Sequence, residues 1–289
     1  MFHRLAMEVT IRLRPFHALL TMALLVASPA AAQQTLPAVD GPSGKVMFIH
    51  GGTGGNNWTG LEGAVTLPLG QRFGLQLDGA AGGLDGSLGK SAFYGTGAHL
   101  FWRDPSTGMV GVEAGYARLD AGGGINTYSL GIEAERYWNS ITLAGLVGLT
   151  DASGATYATA LRHDLSTHFV AGASLTWYPD DNLALTASGA VSGGHVVAGI
   201  GVEWALTSTS SAQPSLFARA ALHQGGDVTA LAGLSIYFGG QPKPLIRRHR
   251  EDDPTIGNVM GAGIKGGIGF TIGAICKFRA HGDDPCHRP

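Results

Sequence analysis

The sequence predicts an all-β chain, a transmembrane antiparallel up-and-down β-barrel of about twelve strands. Three observations point there. Between residues 44 and 238 short segments alternate apolar and polar with a period of two, and no helical period of any length appears. Charged residues make up only 14%, against roughly 25% in an ordinary soluble chain, and the glycine share is about twice the usual one without a collagen triplet. Finally, in residues 227–238 Val228, Ala230, Ala232, Leu234, Ile236 and Phe238 share one face of an extended chain, while Thr229, Gly233, Ser235 and Tyr237 share the other. A stretch of about ten residues so patterned has the length of one tilted membrane-crossing strand.

Taken from the start, Arg4, Arg12 and Arg14 precede an apolar run from Ala18 to Ala27, and Ala30, Ala31 and Ala32 supply a small-residue cleavage site. Residues 1–32 therefore read as a secretory signal peptide, with the mature chain starting at Gln33. The apolar run falls short of the roughly twenty residues a spanning helix needs. Residues 33–43 read as a linker. The net charge of −2 provides no basic patch, so nucleic acid is not an expected partner.

Strands are expected at 44–51, 57–67, 72–81, 92–103, 108–118, 126–138, 140–150, 167–178, 182–191, 194–205, 215–223 and 227–238. Four breaks are tight and turn-rich: Pro68 to Gln71, Asp104 to Gly108, Trp138 to Ser140, and Pro179 to Asn182. A strand at Ala155 to Arg162 would break the up-and-down order, so Asp151 to Ser166 is assigned to an exposed loop, as is Gly82 to Ser91. The run from Gly51 to Gly55 reads as a hairpin loop; no Lys-Ser/Thr follows it, as a phosphate loop requires. The weakest strand is the first, where Lys45 to His50 alternate poorly.

These registers place Leu61, Val65 and Leu67, Phe73, Leu75 and Leu77, Val110 and Val112, Leu130 and Ile132, and Val196, Ile200 and Val202 toward lipid. Glu62, Asp78, Glu113, Glu133, Glu135 and Glu203 fall on the opposite face, with Arg103, Arg219, His99, His195 and His223. Arg118 and Arg136 point outward but sit at strand ends, where a cation costs about 0–1 kcal/mol instead of the roughly 2–4 at midplane. Small inward residues such as Gly95, Gly97, Gly111, Gly131, Gly199 and Gly201 leave space. Barrels of about eight strands are filled by side chains and those of about sixteen hold a channel, so about twelve is compatible with a narrow pore or a plugged lumen.

With the signal peptide, the aromatics near the tight breaks and the Tyr237-Phe238 strand end, residues 44–238 resemble the porin-like outer-membrane β-barrel proteins of Gram-negative bacteria. The resemblance implies location in the outer membrane, lipid around the wall, tight turns and both termini on the periplasmic side, and insertion by the barrel-assembly machinery reading the 227–238 strand. The expected function is a small porin passing ions or small solutes, its pore lined by Glu62, Asp78, His99, Arg103, Glu113, Glu133, Glu135, His195, Glu203 and Arg219. The alternative is a non-conducting structural or surface-interaction barrel.

Residues 239–289 depart from that pattern, in which the chain ends on the terminal aromatic. They read as a periplasmic tail. Within it Arg247 to Asp253 is a basic-then-acidic run expected to be solvated, and Ile256 to Ile275 is apolar with small residues at spacings of four. Cys276 and Cys286 are expected to form a small-loop disulfide in an oxidising compartment. With His281 and His287 they match no zinc-finger spacing, so neither metal nor cofactor is assigned. No catalytic constellation stands out: a hydrolase could be drawn from His168 with Ser174 or from His99 with a neighbouring serine, and a protease from Asp120, Asp151, His163 and Asp164. The chain is expected not to be an enzyme.

Overall fold

The computed structural model describes residues 36–53, 56–86, 89–120, 124–154, 167–210 and 212–252. Twelve strands run β1 Ser43–Thr53, β2 Asn56–Leu69, β3 Phe73–Gly86, β4 Gly89–Asp104, β5 Gly108–Leu119, β6 Ile125–Trp138, β7 Ile141–Gly154, β8 His168–Asp180, β9 Leu183–Ser192, β10 His195–Ala205, β11 Gln213–His223 and β12 Val228–Gly239. Each pairs antiparallel with its neighbours, and β1 closes onto β12 from Ser43↔Gly239 to Thr53↔Thr229. Closure leaves no unpaired sheet edge, the condition for a sheet to stand in hydrocarbon.

The period of two decides which side of the wall each residue takes. Leu130 and Ile132 on β6 and Val196 and Ile200 on β10 are exposed outward, whereas Glu133 and Glu135 on β6 and Glu203 on β10 are buried inward. The outward carboxylates of the described strands, Asp85, Asp104, Asp151 and, past a register shift, Asp180, lie within four residues of a strand end. Outward aromatics mark the two rims, Trp138, Trp177 and Trp204 at one and Tyr94, Tyr128 and Phe169 at the other. From Tyr128 to Trp138 is about 33 Å of strand, which at a tilt of about 40° stands about 25 Å tall, the height of an outer-membrane apolar band.

Several boundaries move. The first strand is fully in the wall, paired on both sides. Its alternation is obscured because the inward Met47 and Ile49 are themselves apolar and pack on Phe217, with Trp58 and Leu231 beside them. Gly82 to Ser91 is not a loop: β3 continues to Gly86 and β4 starts at Gly89. The glycines that imitate a loop in sequence make room for an aromatic, since a Cβ at Gly82 would collide with the Phe93 ring and the Thr59 carbonyl. Likewise β1 runs through Gly51 and Gly52 to Thr53, and β7 runs through Asp151 to Gly154. The remainder of that expected loop, residues 155–166, lies outside the described residues. At the β9–β10 hairpin Gly193 and Gly194 take φ of 54° and 80°, the two positive values a tight two-residue hairpin demands.

The residues flanking the barrel are also ordered against it. In residues 36–42, part of the segment read as a linker, Ala38 and Val39 are buried, and the Ala38 N–H donates to the Gln71 carbonyl at 2.9 Å. After β12 the chain forms a short helix, α1, Leu245–Glu251. Leu245, Arg248, His249, Glu251 and Asp252 are buried there, so the basic-then-acidic run is not a solvated segment. The signal peptide, Ile256 to Ile275 and the cysteines Cys276 and Cys286 lie outside the described residues.

Candidate functional site

Inside the barrel two polar constellations stand apart. The first is made by β3 to β6. Asp78 and His99 are near neighbours across the β3–β4 ladder, where Gln76 is directly opposite His99, and His99 in turn faces Glu113 on β5. His99 Nε2 lies 2.7 Å from Asp78 Oδ2, and its Nδ1 lies 3.1 Å from Glu133 Oε1 and 3.9 Å from Glu113 Oε2. Gln76 Nε2 donates to Asp78 Oδ1 at 2.8 Å. His99, Glu113 and Glu133 are all buried. The ladder also clears space for them: Glu113 is opposite Gly131, Glu133 opposite Gly111 and Asp78 opposite Gly97.

The second constellation closes the end of the barrel where β1 starts and β12 ends. The α1 helix has only seven residues, too few to hold by propensity, so its stability comes from its contacts. Its Leu245 N–H donates to Asn182 Oδ1 and its Ile246 N–H to the Asp181 carbonyl, both in the β8–β9 turn. Arg250 donates to the carbonyl of Asn139 in the β6–β7 turn at 2.8 Å and to that of Ile141 at the start of β7 at 2.9 Å, and stacks over Tyr137 and Tyr178. His249 lies 3.0 Å from the Tyr178 hydroxyl, 3.1 Å from that of Tyr237, and 3.5 Å from Glu203 Oε2. Arg248 donates to the Gly239 carbonyl at 2.7 Å and pairs with Asp252 at 3.0 Å.

Lys243 joins this plug to the N-terminal segment. Its ammonium is fully buried and sits 2.9 Å from Asp40, 3.2 Å from Glu251 and 2.8 Å from Asp252. Burial alone would pull the lysine pKa down; Asp252, Asp40 and Glu251 outweigh it and hold Lys243 above its ordinary value. Beside it Val39 packs with Phe101 and Met109, and Arg103 donates to the Ala38 carbonyl while lying 4.3 Å over the Phe101 ring.

All ten residues expected to line a pore lie on inward positions of their strands. Asp78, His99, Glu113 and Glu133 are brought together. Arg103, Glu135 and Glu203 instead serve the closed end: Glu135 accepts from the Tyr137 hydroxyl at 2.7 Å, and Glu203 accepts from Ser215 and Tyr237 at 2.6 and 2.8 Å. Glu62 is half-buried in the wall, Arg219 stacks on Phe217 at 5.0 Å, and His195 is half-buried at the start of β10. The histidine that meets Glu203 is His249, from the tail; His195 is eight residues along the same strand as Glu203 and about 26 Å away. His223 bonds to Thr229 at 2.8 Å.

The hydrolase pairs are not assembled. His168 and Ser174 are six residues apart on β8, about 20 Å along the strand, and the residues His99 meets are carboxylates. Of the protease set, His163 and Asp164 lie outside the described residues.

Sequence reading missed Lys243, Arg248, His249, Glu251 and Asp252. A signal was present: Arg247 with Glu251 and Arg248 with Asp252 stand at the i,i+4 spacing of helical ion pairs, and both pairs form, at 2.6 and 3.0 Å.

Inward burial is graded. On β8 Ser174, Thr176 and Tyr178 are buried near the plug, while His168, Val170 and Gly172 toward the other rim are half-buried. The same change occurs on β10 between Glu203 and Gly201, and on β12 between Ser235 and Gly233. On the β2–β6 side large residues, Leu84, Phe93, Leu119 and Ile125, remain buried close to the far rim.

The chain matches no protein-family model and no curated protein. Among solved structures it is similar to the KdgM porin, with 8% identity and a TM-score of 0.50 over 68% of this chain and 99% of that one. The KdgM porin in complex with disordered oligogalacturonate gives 9% identity, the same TM-score and the same coverage. An outer membrane channel from Pseudomonas putida F1 has 13% identity and a TM-score of 0.49 over 73% of this chain and 99% of that one. At these identities the likeness is one of fold: a closed antiparallel outer-membrane-type barrel.

Proposed function

We propose that the chain is an outer-membrane porin that passes ions or small solutes along the β8–β12 side of its lumen, with residues 243–252 closing one mouth. The observation that carries this reading is the small, half-buried inward row on that side, Gly172, Ser188, Ala190, Gly199, Gly201, Ala221 and Thr229. Side chains this small leave room for water in a twelve-strand wall. Arg219, His195 and Glu62 would then border the path, and the charged groups lining it would set ion preference. The similar porin fold supports the same reading, as does the apolar exterior, which calls for lipid around it. Export through residues 1–32 and insertion by the barrel-assembly machinery reading the last strand belong to this reading.

Planar-bilayer recording on refolded protein tests it. The full chain should show small or intermittent steps, and Arg248→Ala with Arg250→Ala, which cut the plug from Gly239 and from the β6–β7 turn, should show larger and longer ones. Silence from both would overturn the porin reading. The anchored plug favours a second reading, a non-conducting barrel with a structural or surface-interaction role, and that reading requires the silent outcome.

A further inference from the structure

We propose that His99 Nδ1, Glu113 and Glu133 form a binding site for one divalent first-row transition-metal ion inside the barrel, with Asp78 positioning the imidazole. The donor atoms of the three ligands already lie within 4.8 Å of one another. Ligands about 2.0–2.4 Å from a shared ion stand at most about 4–4.8 Å apart, so the ion needs no backbone movement.

Two further observations point to a ligand. Glu113 Oε2 and Glu133 Oε2 are buried without a hydrogen-bond partner, in side chains only 5% and 0% exposed. A buried carboxylate oxygen left unsatisfied is costly, and two of them on the side chains gathered around His99 Nδ1 have the chemistry that a cation satisfies. Moreover, the wall is shaped for these carboxylates. A Cβ on Gly131 would stand 3.1 Å from Glu113 Oε1, and one on Gly111 would stand 3.0 Å from Glu133 Oε1.

Asp78 completes the arrangement from behind. Its 2.7 Å contact to Nε2 holds the proton on that nitrogen and turns Nδ1 toward the two glutamates, the carboxylate–histidine–metal relation in which the outer carboxylate orients the ligand. On binding, Nδ1, now 3.1 Å from Glu133 Oε1, bonds the ion through its lone pair, any proton it carried passing to solvent, with no change of oxidation state. One imidazole and two carboxylates suit zinc or manganese, whereas calcium and magnesium prefer oxygen alone.

The test uses the full chain, refolded in detergent and stripped with a chelator, in a Cys276→Ser/Cys286→Ser background so that thiols cannot supply a site. Titration with zinc chloride followed by calorimetry should give one saturable equivalent. That equivalent should be lost in Glu113→Gln/Glu133→Gln and weakened about 10–100-fold in Asp78→Asn. No saturable equivalent, or one that survives the double substitution, overturns the proposal. Should the double variant fail to fold, X-ray absorption of zinc-loaded protein with the two glutamates intact decides: one imidazole with oxygen donors supports the site, and two or more imidazoles refute it. These readouts concern metal in detergent and do not depend on whether the barrel conducts.

Discussion

His249 Nε2 stands 3.1 Å from the hydroxyl of Tyr237, twelve residues earlier in the chain. The inward member of the Tyr237-Phe238 pair near the end of the last strand is thus held from inside by the segment that follows it. Tyr137 and Tyr178 are buried facing the same helix, whereas Trp138, Trp177 and Trp204 are exposed on the outer surface of the same rim. The aromatics near the tight breaks therefore divide by side chain, tryptophan toward lipid and tyrosine toward the plug.

Lys243→Met should loosen the plug by removing the single ammonium shared by Asp40, Glu251 and Asp252. Breaking a buried pair by deleting one partner costs about 3–5 kcal/mol, because the other charges stay buried. The expected result is rapid protease cleavage within residues 243–252 in folded protein, against resistance in the parent.

Alkaline pH should act on the same lysine. Its folded pKa is raised above the ordinary 10.5, so its contribution is complete below that value and is lost as pH climbs through the higher folded value. Protease resistance of the segment should persist to pH 10 and fall above about 10.5. Lys243→Arg should retain resistance to higher pH, since a guanidinium stays charged.

Ile200→Arg places a cation on the most exposed part of the β10 outer face and should cost about 2–4 kcal/mol, while Leu222→Arg, one residue from the end of β11, should cost about 0–1 kcal/mol. Denaturant unfolding in lipid vesicles checks the pair. Equal costs would contradict a membrane midplane near Ile200.

Gly233→Ala should be destabilising by about 1–3 kcal/mol, because overpacking forces neighbours aside. Its Cβ would run into the Phe48 carbonyl and stand 2.5 Å from Phe217 Cζ. Gly79→Ala, where nothing lies within 4 Å, should change stability by no more than about 0.5 kcal/mol. Thermal unfolding of the two variants in one detergent makes the comparison.

The wall was legible in the sequence because lipid imposes a binary rule on every second residue. Leu130 and Ile132 against Glu133 and Glu135 can be sorted by parity alone. Parity does not give depth or partners. That His99 meets Glu133, two strands away, depends on ladder register summed across β4, β5 and β6, and no local pattern encodes it. The charged run from Arg247 looked solvated because its partners, Gln213, Glu203 and the turn carbonyls, are distant in sequence. Even the missed strand ends follow this rule: Gly82 reads as a breaker until Phe93 is placed over it.

Lys243 follows the last residue of the closing strand, Gly239, by only four positions. A tether that short keeps the plug at an effective concentration of about millimolar or more at the opening it fills. The seam between β1 and β12 and the stopper thus arrive together, so a newly finished barrel would spend little time as an open leak. The cell would meet the hazard of a half-built hole with the thirteen residues, 240–252, that come directly after the closing strand.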